Sequence, residues 1–313
     1  MQSGFALPAR LAFLLACAWF WVLAAGSAVG QTAAPVPGDV NGDLYVSTAD
    51  VLLALRFVVG SAVPSETQLK AGDLNRSGAI DLADVNRILR NAAGLRPSDR
   101  FIPKSIKVGT VVRKYAVFIP TGYDGLQEWP LIIFLNGAGE CGTDGNLQTT
   151  VGLGPAIKRK MGEWPFIALF PQKPNVSDGW DRYDGMVMAQ LEQTKLEYRV
   201  DISRIYLTGL SQGGYGTWAI AAKHPDMFAA IAPICGWGDS GWAPALKDIP
   251  IWCFHGDADT TVPVKASIDM VEAVKAAGGD PKLTIYKGMG HNVWDRAYQQ
   301  ENLAAWFLEH RRG

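Results

Sequence analysis

The sequence predicts an α/β protein built on a doubly wound, mostly parallel sheet and preceded by a small all-α module. Three observations carry that expectation. Short apolar runs separated by helix-like stretches fill the chain from about residue 106, a Gly-x-Ser-x-Gly string at 209–213 falls between a strand-like and a helix-like stretch, and residues 37–95 contain an internal repeat. With 48% hydrophobic and 19% charged residues, the composition describes a folded chain and excludes a disordered one. A formal net charge of −1 gives no electrostatic reason to expect a nucleic-acid partner. A length of 313 residues allows about two domains.

The amino terminus has the layout of a secretory leader. Residues 1–10 carry one positive charge, Leu11 to Gly26 form an apolar run, and the small residues Ser27 to Gly30 follow. Cleavage is expected near residue 30. The run is short for a span and no later segment is long and apolar enough, so a secreted destination without stable membrane insertion is expected. Cys17 leaves with the leader, and the remaining Cys141, Cys235 and Cys253 cannot all pair within one chain. Cys235 and Cys253 lie in apolar runs and read as small buried hydrophobes, whereas Cys141 follows a Gly-rich loop and is the candidate for reactivity.

Within residues 37–95, the stretch Asp39 to Asp50 aligns with Asp73 to Asp84, offset by 34 residues. Each is a 12-residue loop with oxygen-bearing side chains at positions 1, 3, 5, 9 and 12: Asp39, Asn41, Asp43, Ser47 and Asp50, then Asp73, Asn75, Ser77, Asp81 and Asp84. Alternate positions of a tight loop converge on one point, and a hard cation needs six to eight oxygens, so this spacing points to two structural Ca²⁺ sites. Position 7 adds the carbonyls of Tyr45 and Ala79. Apolar helices are expected at Val51–Gly60 and Val85–Asn91, covering one another. The segment resembles a type I dockerin, and that resemblance implies a cohesin domain as partner. Leu44 stands where the family has Gly at position 6 of the first loop, and Ser77 stands where the second usually has Asp. The polar stretch at 96–105 is expected to be a linker.

Beyond it, Arg113–Ile119 alternates like a half-exposed strand, while Leu131–Leu135, Phe166–Phe170, Ile205–Thr208 and Ile251–Phe254 are the short apolar runs of strands buried on both faces. Helical stretches are expected at about Gly185–Tyr198, Gly213–Lys223 and Lys265–Ala277. In such sheets, sites form beyond the carboxyl ends of the strands.

There the chemistry-bearing residues cluster. In Gly209-Leu210-Ser211-Gln212-Gly213, small flanking residues permit the sharp strand-to-helix turn that exposes a nucleophilic hydroxyl, which points to Ser211. Chain order in this architecture runs serine, acid, histidine; His291 follows the last strand-like run, Leu283–Tyr286, and is the expected base. His224 and His310 lie at helical positions, and His255 precedes the acid loop and is expected to shape it. Asp257 and Asp259 both lie in that loop; its His-Gly-x-x-Asp-x-x-Val-Pro pattern favours Asp259, leaving Asp257 as a turn residue. The developing oxyanion requires two backbone N–H donors, expected from Gln212 and from Ala138 in the Gly-rich loop 136–142.

Ser211, Asp259 and His291, with Trp129-Pro130 and Gly216-Thr217-Trp218, resemble the phospholipase/carboxylesterase, feruloyl-esterase-like and "predicted peptidase" lineage of α/β-hydrolases over residues 107–310. The family's oxyanion loop usually reads His-Gly-Ala-Gly-Glu-Arg-Gly, so Asn136 and Cys141 depart from it. The resemblance implies a catalytic domain at 106–313 that needs no cofactor for catalysis. Together with the dockerin-like module it implies a serine esterase acting on acetyl, feruloyl or similar esters of plant polysaccharide. A serine peptidase of the prolyl-oligopeptidase-like lineage and a catalytically inert docking protein are the alternative readings. Trp180, Trp237, Trp242 and Trp294 are candidates for stacking on a sugar or an aromatic acyl group, and equally for the core.

Overall fold

The computed structural model describes residues 35–74, 77–92, 101–120, 122–123, 125, 127–160 and 164–313. The leader at 1–30, Asn75 of the second loop and the first half of the expected linker lie outside the described residues.

The amino-terminal module has three helices, α1 (Thr48–Val58), α2 (Glu66–Gly72) and α3 (Leu82–Ala92). The first and third begin inside the repeated loops, earlier than their apolar runs, because the loop carboxylates serve as helix-start signals. Ser47 caps α1 and Asp50 reaches back to the Ser47 backbone N–H, a reciprocal capping box. The short α2 has no counterpart in the expected pattern and is opened by a second capping box, Ser65 with Gln68. Repeat-related residues build the small core: Val40 with Leu74, Val51 with Val85, and Ala54 with Ile88. Position 6 of the loops turns through the left-handed region, at φ 93° for Gly78 and φ 73° for Leu44.

The large region is an eight-stranded sheet of β1 (Phe101–Val108), β2 (Val111–Phe118), β3 (Trp129–Leu135), β4 (Ile167–Pro171), β5 (Val200–Leu210), β6 (Ala230–Ile234), β7 (Trp252–Gly256) and β8 (Lys282–Tyr286). The strand order is β1-β2-β4-β3-β5-β6-β7-β8; β1 and β2 run antiparallel to their neighbours and the rest are parallel. Among the described residues, seven α-helices follow within this region: α4 (Leu153–Arg159), α5 (Asp184–Glu197), α6 (Gln212–Lys223), α7 (Ala243–Leu246), α8 (Lys265–Ala276), α9 (Trp294–Gln299) and α10 (Leu303–Glu309). Side chains alternate along each strand, so Leu131, Ile133 and Leu135 of β3 pack with Leu191, Trp218 and Val271 of α5, α6 and α8. On the other face Ile132 and Phe134 pack with Ile157, Ala297 and Phe307 of α4, α9 and α10. Both faces are covered, as expected of parallel strands.

Two strand assignments differ from expectation. Residues 101–105, expected as linker, belong to β1, which pairs residue for residue with β2 from Phe101↔Phe118 to Val108↔Val111. An edge strand needs apolar residues on one face only, and Ile102 and Ile106, separated by Pro, Lys and Ser, read as too polar for a strand. The stretch Ala230-Ile-Ala-Pro-Ile of β6 lacks the β-branched density of its neighbours and owes its conformation to pairing with β5. The module touches the sheet region through α3: Arg87 is buried and donates to the carbonyls of Leu74 and Glu197, at 2.9 and 3.2 Å.

A non-glycine residue in the left-handed region costs roughly 1–2 kcal/mol, of which glycine's extra chain entropy returns about half. Leu44 is 73% exposed, so its side chain contributes little packing. Leu44→Gly is therefore expected to stabilise the module by about 0.5–1 kcal/mol. A urea melt of the full chain at saturating calcium would register this as a higher midpoint, and Gly78→Ala should move the midpoint down.

Candidate active site

Ser211 sits where β5 turns into α6, at φ 54° and ψ −118°, an observed backbone outlier for a non-glycine residue. Crowding fixes the turn. A Cβ on Gly213 would lie 1.9 Å from the Leu135 carbonyl oxygen, one on Gly209 would lie 2.4 Å from the Gly213 carbonyl oxygen, and one on Gly214 would lie 2.6 Å from that of Ile234. The Ser211 N–H donates to Ile234 O at 2.9 Å. The carboxyl ends of β3, β5 and β6 thus meet around the hydroxyl.

His291 comes from the loop after β8. Its Nε2 lies 2.9 Å from Ser211 Oγ, and its Nδ1 lies 2.6 Å from Asp259 Oδ2. A carboxylate only accepts, so Nδ1 carries the proton and Nε2 presents its lone pair to the serine. The other oxygen of Asp259, Oδ1, accepts from the N–H groups of Thr261 and Val262 at 2.8 and 3.0 Å. Burial by itself would raise the Asp259 carboxyl, but its hydrogen bonds to His291 and to these two backbone N–H groups outweigh that and hold it below the ordinary carboxylate range. Asp257 is exposed and accepts from the Gly288 N–H at 2.6 Å, away from the histidine, in the turn role expected of it.

His255 shapes the acid loop more directly than its position before the loop suggests. It is fully buried, with Nδ1 2.7 Å from Ser267 Oγ and Nε2 facing Val262 O at 2.9 Å and Asp259 Oδ2 at 3.1 Å. Burial lowers its tendency to take a second proton. The neutral ring satisfies this set when Ser267 donates to Nδ1 and Nε2–H is shared between the two acceptors. A donor-rich wall then surrounds Asp259.

The Gln212 N–H belongs to the first turn of α6 and the Ala138 N–H to the first turn of a short 3₁₀ helix, Ala138–Glu140, so neither has an acceptor within its own helix. The loop carrying Ala138 is pinned by Asn136, whose Nδ2 donates to Gly137 O at 2.6 Å, whose Oδ1 accepts from Lys173 N at 3.2 Å and whose carbonyl accepts from Trp180 Nε1 at 3.0 Å. Lys173 went unnoticed in the sequence. Its buried ammonium donates to Gln212 Oε1 at 2.6 Å and to the carbonyl of Asp178, tying the loop after β4 to the first residue of α6. Its place two residues beyond the end of β4, on the carboxyl edge of the sheet, is the signal that could have found it. Cys141, half-buried, donates to Gly137 O at 3.5 Å, and burial pushes its thiol up against the opposing charge of Lys173. That is the environment of a protonated thiol, not of a reactive one. Cys235 and Cys253 are buried and free, as expected. Trp180 is wholly core, whereas Trp237, Trp242 and Trp294 are half-buried.

The repeated loops form a second site. Carboxylate oxygens of Asp39, Asp43 and Asp50 lie within 4.8 Å of one another. Their hydrogen-bond donors are backbone N–H groups, Asn41 and Ser47, none of them cationic. Three close carboxylates without a positive partner among the described residues fit a hard divalent cation. In the second loop Asp73 accepts from the N–H groups of Ser77 and Gly78, as Asp39 does from those of Asp43 and Leu44, and Asp84 accepts from Asp81 N as Asp50 does from Ser47 N. Among the described residues, Asp73, Asp81 and Asp84 are not gathered as the first set is; Ser77 supplies no carboxylate at position 5, and its hydroxyl donates to Ala79 O.

Comparisons with known proteins agree with this layout. Residues 37–91 match the Dockerin type I domain family, and residues 156–304 match the Phospholipase/Carboxylesterase family. The chain is 28% identical to a probable feruloyl esterase C of Aspergillus niger over 59% of its own length and 69% of that protein. It is 32% identical to a bifunctional acetylxylan esterase/xylanase of Neocallimastix patriciarum, over 30% of its own length and 15% of that protein. The crystal structure of a thermostable esterase superposes with a TM-score of 0.63 at 33% identity, covering 68% of this chain and 64% of the other.

If Asp259 orients His291, Asp259→Asn leaves the packing in place but sets the wrong imidazole tautomer, so ester turnover should fall by about 10³–10⁴-fold. Asp257→Asn should cost less than about threefold on the same substrate, since only a turn hydrogen bond is weakened. Steady-state rates on p-nitrophenyl acetate compare the two.

Proposed function

We propose that this chain, a type I dockerin module joined to an esterase-like α/β-hydrolase domain, is a secreted serine esterase that removes acyl groups such as acetyl or feruloyl from plant polysaccharide. The observation that carries the proposal is the continuous line from Ser211 Oγ through His291 to Asp259, with spacings of 2.9 and 2.6 Å. The relatives of Aspergillus niger and Neocallimastix patriciarum, named as a probable feruloyl esterase and an acetylxylan esterase/xylanase, support the substrate class.

In this reading His291 Nε2 takes the Ser211 proton as Oγ attacks the ester carbonyl, and Asp259 stabilises the imidazolium without itself accepting the proton. The Ala138 and Gln212 N–H groups stabilise the tetrahedral oxyanion, with Lys173 and Asn136 holding those donors in place. The imidazolium returns its proton to the departing sugar oxygen. Water, deprotonated by His291, then attacks the acyl-enzyme and releases the acid.

The amino-terminal module attaches the enzyme to a cohesin-bearing partner. Asp39, Asn41, Asp43, Tyr45, Ser47 and Asp50 would hold one calcium ion, and Asp73, Asn75, Ser77, Ala79, Asp81 and Asp84 a second. The ion supplies charge compensation that lets the loop carboxylates stay folded together, and it takes no part in hydrolysis. The leader-like amino terminus supports an extracellular location, and no helix among the described residues is long and apolar enough to cross a membrane.

Ser211→Ala should reduce p-nitrophenyl acetate turnover to the uncatalysed background while leaving the thermal melt and cohesin capture in place. Turnover near the wild-type rate would remove Ser211 from the mechanism. Chelation with EDTA should abolish cohesin capture and leave the rate on p-nitrophenyl acetate within about twofold, because the α3 contacts reach the carboxyl end of α5 and not the elbow. Loss of esterase activity that calcium restores would show the two parts to be coupled.

A further inference from the structure

Trp237 is an indole that neither face of the sheet claims. It is half-buried and packs in neither core cluster of the large region; its ring stacks on Tyr215, with centroids 5.2 Å apart, and its Nε1–H makes no hydrogen bond to the described residues. Trp242 also packs on Tyr215, with ring centroids 5.8 Å apart. A large ring left at the surface beside a nucleophile, with its donor unspent, is a feature in need of a ligand.

The cluster adjoins the reacting groups through the chain. Tyr215 is one helical turn beyond Ser211, and its N–H donates to Ser211 O. Gly236, immediately before Trp237, presses so closely on α6 that a Cβ there would lie 2.4 Å from the Gly214 carbonyl carbon and 2.7 Å from Tyr215 N. Cys235, one residue earlier, donates from Sγ to His291 O at 3.1 Å. The strand that delivers Trp237 is therefore fastened to both the nucleophile's helix and the histidine's loop.

Two carboxylates flank the rings. Tyr215 Oη donates to Asp181 Oδ1 at 3.2 Å, and Asp239 Oδ1 accepts from the Gly241 N–H at 2.8 Å, leaving the second oxygen of each without a donor among the described residues. Burial and both carboxylates together push the Tyr215 phenol up, which agrees with their placement beside the ring cluster. Stacking rings bordered by acceptors suit a ring that is apolar on its face and hydroxylated at its edge. A feruloyl group has one phenolic hydroxyl and could engage only one of the two acceptors, whereas the several hydroxyls of a sugar ring can engage both; a uronic acid would be repelled by them.

We propose that Trp237, Tyr215 and Trp242, with Asp181 and Asp239, form a subsite for a neutral sugar ring of the polysaccharide beside the scissile ester. This rests on the polysaccharide-ester reading given above.

The test separates binding from turnover. In the Ser211→Ala background, xylohexaose binding is measured by titration calorimetry with and without Trp237→Ala. The expected result is an affinity loss of at least about tenfold for Trp237→Ala and a loss within about threefold for Trp237→Phe, which keeps a stacking ring. In the active enzyme, Trp237→Ala should raise KM for acetylated xylo-oligosaccharides more than it lowers kcat. The ratio of kcat/KM on that ester to kcat/KM on p-nitrophenyl acetate should fall by at least tenfold. Unchanged xylohexaose affinity in Trp237→Ala overturns the subsite, as does a raised KM for methyl ferulate with unchanged xylohexaose affinity, which would make the rings an acyl pocket. A folded wild-type enzyme that binds xylohexaose through Trp237 but does not hydrolyse its acetyl esters would overturn the polysaccharide-ester reading and leave the subsite standing.

Discussion

Gly213 and the Leu135 carbonyl occupy space that no side chain could share, since a Cβ on the glycine would sit 1.9 Å from that oxygen. This contact sets how far α6 approaches the carboxyl end of β3, and the rest of the site is built around that approach. With α6 held there, the chain reverses at Ser211 in a left-handed conformation and its N–H reaches Ile234 O. The same junction collects the ends of β3, β5 and β6. A parallel sheet offers this because consecutive strands deliver all their carboxyl ends to one edge.

The groups around that junction are held by specific polar partners. Asp259 is the clearest instance: Thr261, Val262, His255 and His291 all direct donors at its two oxygens, and those to His291, Thr261 and Val262 outweigh the upward push of burial and hold its carboxyl below the ordinary range. Lys173 does the corresponding work at the nucleophile turn, where its ammonium bonds to Gln212 and to the carbonyls of Val176 and Asp178 and ties the loop after β4 to the start of α6. Neither residue needs to touch an ester to matter. Asp259 holds His291, and Lys173 holds Gln212.

The amino-terminal module follows a different logic. Its helices are short and its core consists of a few aliphatic side chains from two repeats, so little apolar area is available to stabilise it. The carboxylates of Asp39, Asp43 and Asp50 converge at one edge of this small core, while the sheet region has two full layers of packed side chains. Arg87 links the two regions through main-chain carbonyls, a contact that depends on shape and not on a charged partner.

Much of this was legible in the residues themselves. The loop repeat, the Gly-x-Ser-x-Gly turn and the order of serine, aspartate and histidine are local patterns, and local patterns constrain backbone conformation directly. The preference for Asp259 over Asp257 came from the His-Gly-x-x-Asp-x-x-Val-Pro pattern that hydrolases of this architecture commonly carry, and the structure brings Asp259 and not Asp257 to His291. Tertiary structure decided what depends on distant neighbours. Strand β1 was hidden because an edge strand needs only one apolar face, and β6 because its alanines and proline take their conformation from β5. Lys173 carries no motif, and its role exists only because β4 ends beside α6. The four tryptophans were equivalent in the sequence; burial alone separates Trp180, enclosed in the core, from Trp237 at the rim. Burial and convergence are properties of chain segments far apart in sequence, and no local pattern encodes them.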